Sequence, residues 1–350
     1  MNVIRVEQKE EWNKCIKSFK NWDVYYLNEY AKSLELHGDG IPILIYFASD
    51  NSRMAYIMME NDIAEVSYFV NYIKKGKYID WTTPYGYGGP LYAGEITENW
   101  IKSCWDELKT YAHKNNIISQ FFRFHPLTQN QIGLENVLHV IYEKKTVYID
   151  TSSENLIYTN MTPNNRNMVR KAKRLGVKII WDYGERMEKF EKIYKRTMEM
   201  HHADNYYNFS ERYFSYIREE MKDYTVFFYV QYNNEIISSS IFFYNKNYMH
   251  YHLSGTLPEY RNLGAANLLL TEAAYWACER GIPKLHLGGG VEKVDSLLRF
   301  KKHFNRNGEI DFCIGCNIFD ENKFRDLVML RKQQDASFDE NQKYMILYRA

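Results

Sequence analysis

Residues 248–290 read YMHYHLSGTLPEYRNLGAANLLLTEAAYWACERGIPKLHLGGG, and this stretch decides the fold. Tyr248–Ser254 reads as a strand leading out to a loop that ends in Pro258. A helix starts near Asn262 and runs to Arg280, where Gly281 and Pro283 stop it. Lys284–Leu287 is a short strand that runs into Gly288–Gly289–Gly290. The turn Arg261–Asn262–Leu263–Gly264–Ala265–Ala266 therefore lies between a strand and a helix. A helix N-terminus offers free backbone N–H groups and partial positive charge, which favour phosphate, and small residues let a ligand approach the backbone. The same small residues also suit a tight turn that packs helix on sheet. Arg261, Asn262, Gly264 and Ala266 are the candidate cofactor-binding residues.

Upstream, the strand belongs to a meander. Thr225–Tyr232 turns at Asn233–Asn234, a pair that tolerates the positive φ of tight hairpins, and Ile236–Tyr244 turns at Asn245–Asn247. Before the meander come helices over 164–175, stopped by Gly176, and over 185–201 and 209–221, the last with Ser210 as N-cap. A strand over Val177–Trp181 separates the first two. Downstream follow a helix over 294–304 and a strand over 310–318. The first half repeats this order more faintly. Trp12–Phe19 and Leu27–Leu36 read as helices, Ile41–Ala48 and Arg53–Glu60 as paired strands, Thr97–Lys114 as a helix, Ile117–Phe124 and Val137–Ile149 as strands. The polar stretch Asp150–Met161 is the expected boundary between domains at 1–150 and 151–350.

A chain of 350 residues is long enough for two cores, and 45% hydrophobic with 25% charged residues is ordinary for globular protein. The formal net charge of +1 excludes a global polyanion-binding signature, so nucleic acid would need a local patch. Cys15, Cys104, Cys278, Cys313 and Cys316 include a single CxxC, set in the apolar run DFCIGCNIF. That reads as a strand with core thiols, and no metal is expected. Charged residues interrupt the N-terminus, and no apolar run approaches the roughly 20 residues that span a bilayer, so a soluble, cytoplasmic protein is expected.

Several constellations could carry chemistry. Arg166, Arg170 and Arg174 are four apart and share a helix face, with Lys171, Lys173 and Lys178 nearby. The stripe is either a solvated surface or a seat for phosphate from a nucleotide-linked substrate or tRNA. Thr83–Pro84–Tyr85–Gly86–Tyr87–Gly88–Gly89–Pro90 is a shaped loop, either a structural turn or a wall beside a substrate with Tyr85 and Tyr87. Gly288 and Gly289 leave space at a strand end, where open α/β sheets bind ligands, and Lys301 or Lys302 could meet negative charge developing on an attacked carbonyl. His201–His202 and His250/His252 lack the spacing of a zinc site. The nucleophile elbow G-x-S-x-G and the nucleotide loop G-x-x-x-x-G-K-S/T are absent. No nucleophile–base pair stands out, which suits direct transfer to an amine.

NNRNMVRKAKRLGVKI (164–179), YKRTMEMHHADNYYNFSERYF (194–214), the stretch 248–290 and SLLRFKKHFN (296–305) together resemble the FemABX superfamily of peptidoglycan bridge-forming aminoacyl- and peptidyltransferases, and the related GNAT-like acyltransferases of surface-polysaccharide loci. The resemblance implies an α/β (α+β) fold of two tandem GNAT-like (acyl-CoA N-acyltransferase) domains, each a mixed central sheet flanked by helices, with a cleft between them. It implies transfer from aminoacyl-tRNA to an amine of a nucleotide-linked or lipid-linked cell-wall precursor, with no tightly bound cofactor. By the same resemblance Phe300 and Lys301 look like the family's aromatic–lysine pair near the aminoacyl end, and Lys32 and Arg212 like basic residues that grip a substrate diphosphate. The chain lacks the coiled-coil arm of some members, and R-x-x-G-x-A at 261–266 is closer to the pyrophosphate loop of acetyl-CoA users. Acyl-CoA acting on an amino sugar or peptide is thus an alternative donor reading, and a non-catalytic binder of a nucleotide-linked glycan is a third. Either transfer needs a neutral amine, although an ordinary lysine amine has a pKa of about 10.4.

Overall fold

The computed structural model describes residues 1–200, 202, 204–290 and 296–350. The chain forms two compact units, one of residues 1–143 with 312–350, the other of residues 144–311. In chain order the first unit begins with β1 (Asn2–Arg5), α1 (Lys9–Lys17), α2 (Asn28–His37), β2 (Ile41–Ala48), β3 (Ser52–Asp62), β4 (Ile79–Thr82), β5 (Leu91–Gly94), α3 (Glu98–Lys114) and β6 (Ile117–Arg123). β7 (His139–Asp150) leads into the second unit. There α4 (Glu154–Asn160), α5 (Pro163–Arg174), β8 (Lys178–Asp182), α6 (Met187–Met200), α7 (Glu211–Glu220), β9 (Thr225–Tyr232), β10 (Glu235–Tyr244), β11 (Met249–Thr256), α8 (Ala265–Glu279), β12 (Lys284–Gly289) and α9 (Ser296–Lys302) follow. β13 (Glu309–Ile318) returns the chain to the first unit, which α10 (Glu321–Gln334) completes.

Both units use one wiring plan. In the second, β8, β9, β10 and β11 form an antiparallel meander, α8 crosses over, and β12 lies parallel to β11 with β7 antiparallel on its far side. In the first, β1, β2, β3 and β4 form the meander, α3 crosses over, and β6 lies parallel to β4 with β13 antiparallel on its far side. Each is thus a mixed sheet with helices on it, and the two are tandem GNAT-like folds.

The local sequence explains the elements. Thr97, Ser153, Thr162, Ser210 and Asp320 cap α3, α4, α5, α7 and α10 by accepting a backbone N–H. Asn233 and Asn234 both adopt positive φ, which joins β9 to β10 by the tightest of hairpins. α8 buries Leu268, Leu269, Leu270 and Trp276 against Phe228 and Phe242 of the sheet. Each such burial contributes about 1.5–3 kcal/mol. In the first unit Trp81, Trp105, Phe122 and Phe124 occupy the corresponding core.

Two expectations need correction. The polar stretch 150–161 lies inside the second unit, which begins at residue 144: it holds α4, which buries Ile157, and Met161 after it is buried in the same core. Residues 312–350 group with the first unit, because β13 pairs with β6 and because Asp80, 1% exposed, receives Arg349 and Tyr348. The expected helix over 294–304 is seen over Ser296–Lys302, Val294 lying outside the described residues, as does His201 at the end of the expected helix 185–201. The CxxC lies in β13, and burial pushes the Cys316 thiol up to about 11. Among the described residues no helix is long and apolar enough to cross a membrane.

Candidate active site

In the second unit the parallel strands β11 and β12 pair at Met249↔Leu285 and His250↔His286 and, among the described residues, nowhere beyond. β11 continues to Thr256 against β10, and β12 continues to Gly289 against β7. The two strands therefore part after His250 and His286. A β-bulge between His286 and Gly288 helps turn β12 aside, and Gly288 takes φ +74°, which favours glycine. Among the described residues β11 and β12 share no ladder pair along the inner edges of this wedge beyond Met249↔Leu285 and His250↔His286, which leaves an opening where an extended carrier arm can be laid.

The apex of the wedge is polar and buried. His250 and His286 are each 1% exposed with rings 5.6 Å apart, and His286 Nε2 lies 3.0 Å from Thr146 Oγ1. Two residues along β11, His252 Nε2 lies 3.0 Å from the buried Tyr213 hydroxyl. Burial, then neighbouring His250, pushes His252 down to about 3, so it is neutral over the working range. His250 and His286 are thus core groups, while His252 is half-buried.

On the β12 arm, Lys301 is buried and its ammonium donates to Gly289 O at 2.6 Å. Lys144 donates to Gly290 O at 3.0 Å. The glycine end of β12 is thus held by two cations, and Lys301 stands beside the wedge with its charge out of bulk water. Lys302 instead pairs with Glu309 at 3.0 Å, with 43% of its side chain exposed. Phe300 packs on the core with its ring 5.2 Å from Phe304. A Cβ at Gly289 would stand 2.9 Å from Lys145 O, so close backbone approach alone requires that glycine.

The β11 arm leads through a 3-10 turn, Pro258–Leu263, to Gly264 and the N-terminus of α8. Gly264 has φ +74°, and a Cβ there would stand 3.0 Å from Met168 O of α5. Lys171 donates to Asn262 O at 2.9 Å. The small residues of the turn therefore serve close packing of α5 against α8. Arg261 and Asn262 are exposed, and Ala266 is half-buried on the first turn of the helix.

The basic stripe is partly committed to structure. Arg166 donates to Tyr158 O and Met161 O at 3.1 and 2.7 Å, closing α4, and Arg170 bonds Asn167. Lys173 pairs with Glu272, while Arg174 and Lys178 are exposed. Arg212 lies exposed on α7.

Lys32, Tyr85 and Tyr87 belong to the first unit. Lys32 pairs with Glu35 at 2.8 Å. The loop 83–90 is built rather than loose. Tyr30 Oη donates to Tyr85 O at 2.6 Å, Arg123 Nε to Gly86 O at 3.0 Å, and Asn130 Nδ2 to Gly88 O and Pro90 O. Burial pushes the Tyr87 hydroxyl up to about 12, against the pull of Arg123. Beneath the loop, Asp23 Oδ2 and His125 Nε2 meet at 2.8 Å, both fully buried. This carboxylate–histidine pair escaped the sequence reading because its members are 102 residues apart.

Residues 163–302 match the family model "Acetyltransferase (GNAT) domain". No curated protein matches the chain. Among solved structures the chain is similar to FemX, at 12% identity and TM-score 0.67, over 93% of this chain and 99% of that one. It is also similar to the C-terminal domain of a putative lysylphosphatidylglycerol synthetase from Agrobacterium fabrum, at 11% identity and TM-score 0.57, covering 91% and 92%. L-PGS from Bacillus licheniformis matches at 11% identity and TM-score 0.54, covering 92% and 96%. The wedge between β11 and β12 lies inside the matched segment, so residues 163–302 resemble a GNAT acetyltransferase domain, and the chain as a whole has a FemX-like fold.

Proposed function

We propose that the chain moves an aminoacyl group from aminoacyl-tRNA to the amine of a nucleotide-linked or lipid-linked cell-envelope precursor. The parting of β11 from β12 beside Lys301 carries the assignment to acyl transfer. The activated carbonyl enters the wedge, the neutral amine attacks its carbon, and the C–N bond forms as the ester C–O bond breaks. The oxyanion of the tetrahedral intermediate is met by Lys301, and the amine's proton leaves with the ribose oxygen. Two features support tRNA as donor carrier. The stretches 164–179, 248–290 and 296–305 resemble the FemABX superfamily, and the chain shares the fold of FemX. In addition, Met168 accounts for Gly264 without a diphosphate.

Acyl-CoA is the second reading. The GNAT match and R-x-x-G-x-A at the head of α8 favour it. The deciding experiment offers labelled aminoacyl-tRNA and labelled acetyl-CoA separately, with a nucleotide-linked muropeptide as acceptor. Label leaving tRNA, with affinity falling steeply as salt rises, supports the first reading. Label leaving only acetyl-CoA replaces it with the second. Turnover of neither, with the nucleotide-linked acceptor still bound, leaves a non-catalytic glycan binder.

A further inference from the structure

Away from the wedge, α6 and α7 enclose a cavity of about 810 Å³, within the range of small-molecule sites. Its floor is aromatic. The rings of Tyr194, Phe209 and Phe214 lie 6.0 to 6.5 Å from one another. Four carboxylates line the same space, Glu188, Glu191 and Glu199 from α6 and Glu211 from the first turn of α7, and of these Glu191 is half-buried while the other three are exposed. Among the described residues neither Glu191 nor Glu211 is in an ion pair. Burial holds the Glu191 carboxyl above its ordinary range, and Glu211 and then Glu188 push it the same way. Arg218 pulls it down, but that guanidinium is engaged with Glu219 at 3.1 Å. Lys192, Lys195 and Arg218 also line the cavity, all from exposed positions, so its four carboxylates outnumber its cations by one. A half-buried carboxylate facing a second carboxylate over aromatic rings costs stability, and a desolvated cation is the partner that relieves it.

We infer that the groove between α6 and α7 is a binding site for an organic cation, a primary ammonium or guanidinium on an apolar stem. The charge is received between Glu191 and Glu211, and the stem lies on Tyr194, Phe209 and Phe214.

Cadaverine is the probe, measured by calorimetry on the whole chain, with pentanol as the neutral control. Saturable cadaverine binding is expected, with weaker or no pentanol binding. Glu191→Gln is expected to weaken it about tenfold, a charge-assisted hydrogen bond lost, and Lys246→Gln, an exposed lysine of the same unit outside the cavity lining, to leave it unchanged. Without ligand, Glu191→Gln is expected to raise Tm at pH 7, because the raised pKa penalises the ionised state. That gain should vanish as pH falls below the ordinary glutamate pKa, where the unfolded chain is protonated too. No saturable binding at millimolar cadaverine, equal binding by Glu191→Gln, or a lowered Tm in that variant overturns the proposal. The measurement needs no turnover, so it stands apart from the transfer reaction.

Discussion

Replacing Lys301 with methionine keeps the aliphatic stem and deletes the ammonium. Two consequences follow from its position. Gly289 O loses a 2.6 Å bond from a charged donor, which costs about 1.5–3 kcal/mol of stability. If the same ammonium meets the oxyanion, kcat falls by roughly 10²–10³, about 2.7–4 kcal/mol of transition-state stabilisation, with KM little changed. Lys302→Met is the control, because Lys302 is an exposed partner of Glu309 at 3.0 Å, a pair whose loss costs about 0–1 kcal/mol. The assay combines thermal melts with steady-state rates on whichever donor turns over, read well below the variant's Tm. A Lys301→Met enzyme with native kcat and a raised KM would refute the oxyanion role. A variant with lowered Tm and native kinetics would reduce Lys301 to a brace for the glycine end of β12.

Other outcomes follow from the packing. Arg349→Met strands the buried Asp80 carboxylate, which Arg349 reaches at 2.7 Å and Tyr348 at 2.9 Å. Chemical denaturation should show a loss of about 3–5 kcal/mol, smaller in the double variant with Asp80→Asn. Gly264→Ala forces a left-handed backbone and a 3.0 Å approach to Met168 O, so it should cost about 1–3 kcal/mol, and an unchanged melt would contradict the packing account of the turn. His252 is neutral when folded and protonates when unfolded below its ordinary pKa, so stability is lost as pH falls from that value toward 3. Its share of the slope is at most about 1.4 kcal/mol per pH unit, and His252→Gln should flatten the measured curve in that window. The Cys316 thiol, held up to about 11, should resist iodoacetamide at pH 8 until denaturant is added.

The legible parts of the fold were those fixed by neighbours in sequence. Alternation and the Asn233–Asn234 turn placed β9 to its end residues, and Gly281 with Pro283 placed the end of α8. α4 was missed because it is short and polar on most faces, with Ile157 its one buried residue among those described. The strand over 310–318 was visible, but its partner was not. β6 lies upstream of the whole second unit, and strand pattern records which face is buried, not which edge is met. The site divides in the same way. Gly288, Gly289 and Lys301 could be named from the glycine run and the lysine pair. Their meeting at the parting of two parallel strands depends on a register that no local pattern states. The arginine stripe was correctly placed on one helix, yet Arg166 proved to close α4, because carbonyl acceptors are invisible in sequence.

The two units also differ in how their residues are ordered along the chain. The second is one continuous run, residues 144–311, whereas the first is assembled from 1–143 and 312–350. On the ribosome the later-starting lobe therefore has every strand it needs while the earlier one still waits for β13. Until the last residues emerge, Asp80 has no arginine to meet, so the N-terminal segment must wait, incompletely zipped, for its own tail. Chaperone dependence and nascent-chain proteolysis should fall on that segment, and a circular permutation joining both pieces of the first lobe in sequence should relieve them.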